Sequence, residues 1–144
     1  MTPTTDALTT ALNAENAAIF AYGVVAAYAS PSRAAAITDA ITEHRANRQA
    51  LTDAFNGTGV PAPLAAIGYN LPQKVTDPTS ALQVALAAET ECATAYRALL
   101  EMTDRPTDRQ LSVPALTGCA TRAANWRLAL KISPATVALP GSGD

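Results

Sequence analysis

The sequence predicts an all-α fold: a four-helix bundle in which two antiparallel hairpins are joined by a long crossover. Three observations lead there. Apolar residues recur at three-and-four spacing in four separate segments, which is the repeat of one helix face. A stretch rich in Pro and Gly, with no helical period, divides those segments into two pairs. On the core-facing stripe of the leading helix in each pair, a Glu is followed seven residues on by a Tyr, as Glu15 with Tyr22 and as Glu89 with Tyr96. Composition favours helices over sheets, since 49% of the 144 residues are hydrophobic, with Ala the commonest of them, and only 5% are aromatic. One domain is expected over residues 1–132, followed by a loose tail over 133–144 that reads SPATVALPGSGD.

The first helix is predicted from about Thr5 to Ala29, with Leu8, Leu12, Glu15, Ile19, Tyr22 and Ala26 on one face. Ser30-Pro31 reads as an N-cap followed by a first-turn proline, and so tight a turn makes the second helix antiparallel to the first. The stripe of that helix is Ile37, Ile41, His44, Arg48, Leu51 and Phe55, and Asn56-Gly57 stops it. The crossover spans about 57–80, a length that suits a connection returning along the bundle. Its apolar residues Leu64, Ile67, Tyr69 and Leu71 are expected to hold it against the surface. Asp77-Pro78 repeats the cap-then-proline pattern and opens the third helix, whose face carries Leu82, Leu86, Glu89, Ala93, Tyr96 and Leu100. After a turn over Thr103–Thr107, the fourth helix is predicted to show Leu116, Ala120, Ala123, Arg127 and Leu130 to the core, with Pro114 beginning or kinking it.

A carboxylate on a core stripe is costly to bury unless a cation meets it. The second helix of each pair offers candidates. TEHRANRQAL from Thr42 aligns with TRAANWRLAL from Thr121, which matches Arg48 with Arg127 and His44 with Ala123. The expectation is a buried polar core site of Glu15, Tyr22, His44, Arg48, Glu89, Tyr96 and Arg127. In it the two guanidinium groups bridge to the two carboxylates, while His44 and the tyrosine hydroxyls fill the remaining hydrogen-bonding positions. In the opposing reading both arginines extend outward and cover the bundle surface.

The hairpin–crossover–hairpin plan, with Glu15–Tyr22 and Glu89–Tyr96, resembles the ferritin-like superfamily. More narrowly, ENAAIFAYGVV, EHRANR and RAANWR resemble a family of small ferritin-like domains of unknown function, over roughly Asp6–Lys131. That resemblance implies a site for two metals, held by a Glu from each of two helices and a Glu-x-x-His from each of the other two. Glu15 and Glu89 stand at the single-Glu positions, and His44 at one His. Ile41, Ala120 and Ala123 stand where the other ligands belong, so no dimetal chemistry and no cofactor are expected. The rival reading is an atypical single-metal protein or oxidoreductase using Glu15, His44 and Glu89, since three protein ligands and a water suffice for zinc.

The remaining features exclude more than they assign. A net charge of −2 offers no general attraction to nucleic acid or an anionic membrane, and no apolar run is long enough to span a bilayer. No signal peptide is visible, and a cytoplasmic location is expected. His44 is the sole histidine and stands in no nucleophile motif, so no catalytic residue is assigned and the chain reads as a binding or assembly module of unknown partner. Cys92 and Cys119 are expected to be buried reduced thiols. The apolar positions Val24, Val25, Tyr28 and Trp126 suggest a symmetric homodimer.

Overall fold

Every helical segment starts on a proline. In the computed structural model, which describes residues 2–143, these are Pro3, Pro31, Pro78 and Pro106. Met1 and Asp144, the outer limits of the expected domain and tail, lie outside the described residues. Proline suits the first turn because its fixed φ is already helical and its missing N–H had no helical partner to lose. Four helices result: α1 (Pro3–Tyr28), α2 (Ala34–Ala54), α3 (Pro78–Met102) and α4 (Pro106–Ala129), with 3-10 turns at Pro31–Arg33 and Phe55–Gly57. The described residues contain no strand, and the fold is an all-α four-helix bundle. Thr2 and Asp77 each close a capping box, with Thr5 and Ser80 respectively, whereas Ser30 makes no side-chain cap.

The order of packing gives the topology. α1 lies against α2 and α3, and α4 lies against α3 and α2. Tyr22 on α1 reaches Glu89 on α3 while Tyr96 on α3 reaches Glu15 on α1, so these two helices run antiparallel. α2 and α3 therefore run in the same direction on opposite corners, and the crossover from 58 to 77 travels the length of the bundle. Val75 is buried at its end, and the Tyr69 ring sits 5.9 Å from Phe20. Leu64 and Ile67 do not hold it down: they are 93% and 108% exposed, at the apex of the PAPLAAIG stretch.

The apolar core forms two clusters on either side of a polar layer. One gathers Leu8, Leu12, Leu51, Phe55 and Leu99; the other gathers Val25, Ile37, Val84 and Trp126. Between them lie the fully buried side chains of Glu15, His44 and Glu89.

Three expectations about the elements change. α4 begins at Pro106, and Pro114 lies inside it. Its core face carries Asp108, Ser112, Ala115, Cys119, Ala123 and Trp126, so it shares only Ala123 with the expected stripe of Leu116, Ala120, Ala123, Arg127 and Leu130 and is rotated from it by about 60°. The tail is anchored at two points: Ala135 accepts a hydrogen bond from Arg127, and Gly141 rests on the backbone of Ala93, where a Cβ would come within 2.4 Å of the carbonyl oxygen. The chain turns toward this position through Lys131 at φ 59°, with Lys131 N–H on Leu128 and Ile132 N–H on Arg127, the bonding of a Schellman cap.

Candidate functional site: a buried charge-balanced core

Glu15 on α1 and Glu89 on α3 face each other across the middle of the bundle, and His44 on α2 lies between them. Its Nδ1 is 2.5 Å from Glu15 Oε2 and its Nε2 is 2.9 Å from Glu89 Oε1. An ionised carboxylate only accepts hydrogen bonds, so both ring nitrogens donate and the ring is an imidazolium. Burial pushes the His44 pKa down, but the hydrogen bonds and charges of Glu15 and Glu89 outweigh that and raise it from 6.5 to about 10.

The tyrosines serve the carboxylates reciprocally. Tyr96 donates to Glu15 Oε1 at 2.5 Å, and Tyr22 donates to Glu89 Oε1 at 2.5 Å. Each tyrosine thus serves the carboxylate of the other hairpin, which ties α1 to α3 twice. Burial, reinforced by the neighbouring carboxylate, raises both phenols far above their ordinary range, so they remain donors. Trp126 adds a further link, its indole N–H donating to Tyr22 at 2.8 Å.

The second cation is Arg122. Its Nε donates to Glu89 Oε1 at 2.9 Å, and its Nη2 lies 3.6 Å from Cys119 Sγ. Gly118 makes room for it, since a Cβ there would stand 3.2 Å from Arg122 Nη1. Burial alone would raise the Glu89 pKa, yet the His44 hydrogen bond and charge and the Arg122 charge hold it below the ordinary range. Two carboxylates meet one imidazolium and one guanidinium, and the layer is neutral. Among the described residues, Glu89 Oε2 has no hydrogen-bond partner.

Of the seven residues expected here, Glu15, Tyr22, His44, Glu89 and Tyr96 come together. Arg48 and Arg127 do not. Arg48 is half-buried and donates to neither carboxylate among the described residues, and Arg127 points to the tail, with Nη1 3.4 Å from Ala135 O. For Arg127 the reason is the rotation of α4, which places it at the edge of the bundle and turns Arg122 inward. The pattern of Cys119, Arg122 and Trp126 at three-and-four spacing was available in the sequence. Cys and Trp bury readily, and they mark the core face better than Leu116 or Leu128.

Cys92 and Cys119 are free and buried in the same core cluster, and the neighbouring Cys119 thiol and burial raise the Cys92 pKa well above its ordinary value. Cys92 Sγ, a Glu15 oxygen and a His44 nitrogen lie within 4.8 Å of one another. A second polar cluster, not anticipated, lies at the α3–α4 turn. Buried Asp108 accepts from Thr103 at 2.8 Å, and Arg105 donates to the Ala54 carbonyl at 2.9 Å, tying this turn to the end of α2.

Fold and site together define a class: a four-helix bundle built from two related hairpins around a buried, charge-balanced polar layer. The chain matches the family described as "Domain of unknown function (DUF4439)" over residues 7–144, and it belongs to that family. The match includes the whole of the tail. The crystal structure of a conserved hypothetical protein, rv2844, from Mycobacterium tuberculosis is similar, with a TM-score of 0.87 and 36% sequence identity over 96% of this chain and 97% of that one. Among curated proteins none matches. No helix among the described residues is long and apolar enough to cross a membrane.

Proposed function

We propose that this is a ferritin-like bundle whose dimetal chemistry has been replaced by internal cations, and that it serves as a non-catalytic binding or assembly module. The observation that carries this reading is His44 spanning both carboxylates with its two ring nitrogens. A dimetal centre needs both carboxylates free to ligate and a Glu-x-x-His on each second helix. Here Ile41 and Ala123 stand at two ligand positions, α4 turns Cys119 rather than Ala120 or a carboxylate toward the layer, and three of the four carboxylate oxygens already accept from His44, Tyr22, Tyr96 or Arg122. The residues present do not fit two metals. Metal analysis of protein purified without a histidine tag tests this: substoichiometric metal supports it, and one or more tightly held ions per chain overturns it.

A second reading draws on the Glu15–His44–Cys92 cluster and the orphan Glu89 Oε2. These residues offer a mixed S, N, O donor set for a single ion of the zinc type, as an atypical single-metal protein or oxidoreductase. Binding there would displace the proton of His44 and that of Cys92, so uptake would release protons and strengthen with pH.

The assembly half of the proposal is a homodimer in a cytoplasmic setting. Val25 and Trp126 are core residues and do not contribute to it. Its support is the exposed Leu64 and Ile67, with Tyr28 44% exposed. Sedimentation at micromolar concentration should show a dimer that Leu64→Ser with Ile67→Ser converts to monomer, and a monomeric wild type removes this half.

A further inference from the structure

We propose that the groove between the start of α2 and the last turns of α4 binds a small organic oxyanion, a carboxylate or phosphate monoester carrying a short apolar tail. The groove encloses about 420 Å3, the size of a small-molecule site. Arg33 and Ala36 line one side, and Arg122, Asn125, Trp126 and Leu128 line the other. Two guanidinium groups and a carboxamide therefore face a partly apolar wall, and no carboxylate lines it. The adjoining hollow of about 380 Å3 shares Arg33 and adds Lys131, also without an acid in its lining. Such a cationic concavity stands out in a chain of net charge −2.

The two guanidinium groups have different roles. Arg122 is held from behind: its Nε is on Glu89, its Nη2 is near Cys119, and a Cβ on Gly118 would come within 3.2 Å of its Nη1. Its Nη1 has no partner among the described residues, and the side chain remains 16% exposed. Arg122 thus lines the groove as a guanidinium whose position is already set, which lowers the ordering cost on binding. Its charge is balanced by the buried layer. Arg33, exposed and without an ion pair among the described residues, supplies the uncompensated charge. An oxyanion between them accepts charge-assisted hydrogen bonds from both, and its tail lies along Ala36 and Leu128. The groove adjoins the buried layer through Arg122, which is bonded to Glu89, but neither Arg33 nor Arg122 is among the residues that would hold an ion.

Trp126 is the only tryptophan and lines the groove, so its fluorescence and its single indole N–H resonance report occupancy. The probes are monobutyl phosphate, butyrate and inorganic phosphate, each titrated against sodium chloride at matched ionic strength. A saturable response is expected for the alkylated anions, with whichever of the two binds more tightly naming the headgroup and inorganic phosphate weaker than both. Arg33→Gln should weaken binding by about tenfold, the loss of one charge-assisted contact. Arg48→Gln, which removes a cation outside the groove, should leave it unchanged. A response that never saturates, that sodium chloride reproduces, or that falls equally in the two variants overturns the proposal. Unfolding midpoints without probe confirm that both variants are folded.

Discussion

In α1 and α3 the two hairpins agree at the Glu and the Tyr that face the site, while in α2 and α4 they part. Glu15 and Tyr22 have their counterparts in Glu89 and Tyr96, and the contacts are as reciprocal as the sequence, each phenol on the carboxylate of the other helix. The second helices contribute one cation each but not from matched positions: His44 from α2, and from α4 Arg122, beside the Ala123 that aligns with His44. Electrostatics accounts for the difference. Two buried carboxylates require two positive charges, but a single imidazolium between them serves both and leaves no space for a second ring. The remaining charge has to enter from the side, which a long guanidinium at the bundle edge can do.

The comparison makes His44 the central cation and Arg122 the peripheral one. His44→Ala would strand fully buried Glu15 without a cation and leave Glu89 with Arg122 alone, so it should lose roughly 3–5 kcal/mol in urea unfolding, or fail to fold. Arg122→Ala leaves Glu89 with His44 and Tyr22 and opens a path for water, so a smaller loss of about 2 kcal/mol is expected. Equal losses, or a larger one for Arg122, would break the ranking.

The same cation sets the pH dependence. The His44 pKa is about 10 in the folded chain against 6.5 ordinarily, so the folded state holds the extra proton between those values. Its stabilisation is fully present below pH 6.5, falls by up to about 1.4 kcal/mol per pH unit above that, and is gone above about pH 10. Glu89, held below its ordinary 4.5, acts at the other limit: its contribution is present above 4.5 and lost as pH falls through the folded value. Unfolding free energies measured from pH 6 to pH 10 should slope downward; a flat profile would mean that His44 is neutral in the folded protein.

Reciprocity in α1 and α3 is tested by Tyr22→Phe and Tyr96→Phe. Each removes one charge-assisted donor to a buried carboxylate, worth about 1.5–3 kcal/mol. Tyr22→Phe should sit at the upper end, because it also leaves the Trp126 indole N–H unpartnered. A negligible effect of one variant beside a large effect of the other would mean that the two halves are alike only in sequence.

The smallest effects are expected where the sequences of α2 and α4 match best. Arg48→Ala and Arg127→Ala should each change stability by no more than about 0.5 kcal/mol, since neither donates to a carboxylate. A loss of several kcal/mol at either would restore the bridges that the alignment suggested.

The sequence by itself determined the all-α class, the two hairpins and the crossover, because helical period, capping and proline placement are local properties of the chain. It also determined that Glu15, Tyr22, His44, Glu89 and Tyr96 lie inward, since strong apolar stripes flank them on α1, α2 and α3. The tertiary structure alone decided the rotation of α4 and the partner of each carboxylate. On that helix polar Asp108, Ser112 and Arg122 face inward while Val113 and Leu128 are exposed, so its Leu and Val residues point to the wrong face and only Cys119 and Trp126 mark the right one. What orients α4 is the pairing of Arg122 with Glu89 and of Trp126 with Tyr22, contacts between residues far apart in the chain that exist only once the hairpins have packed.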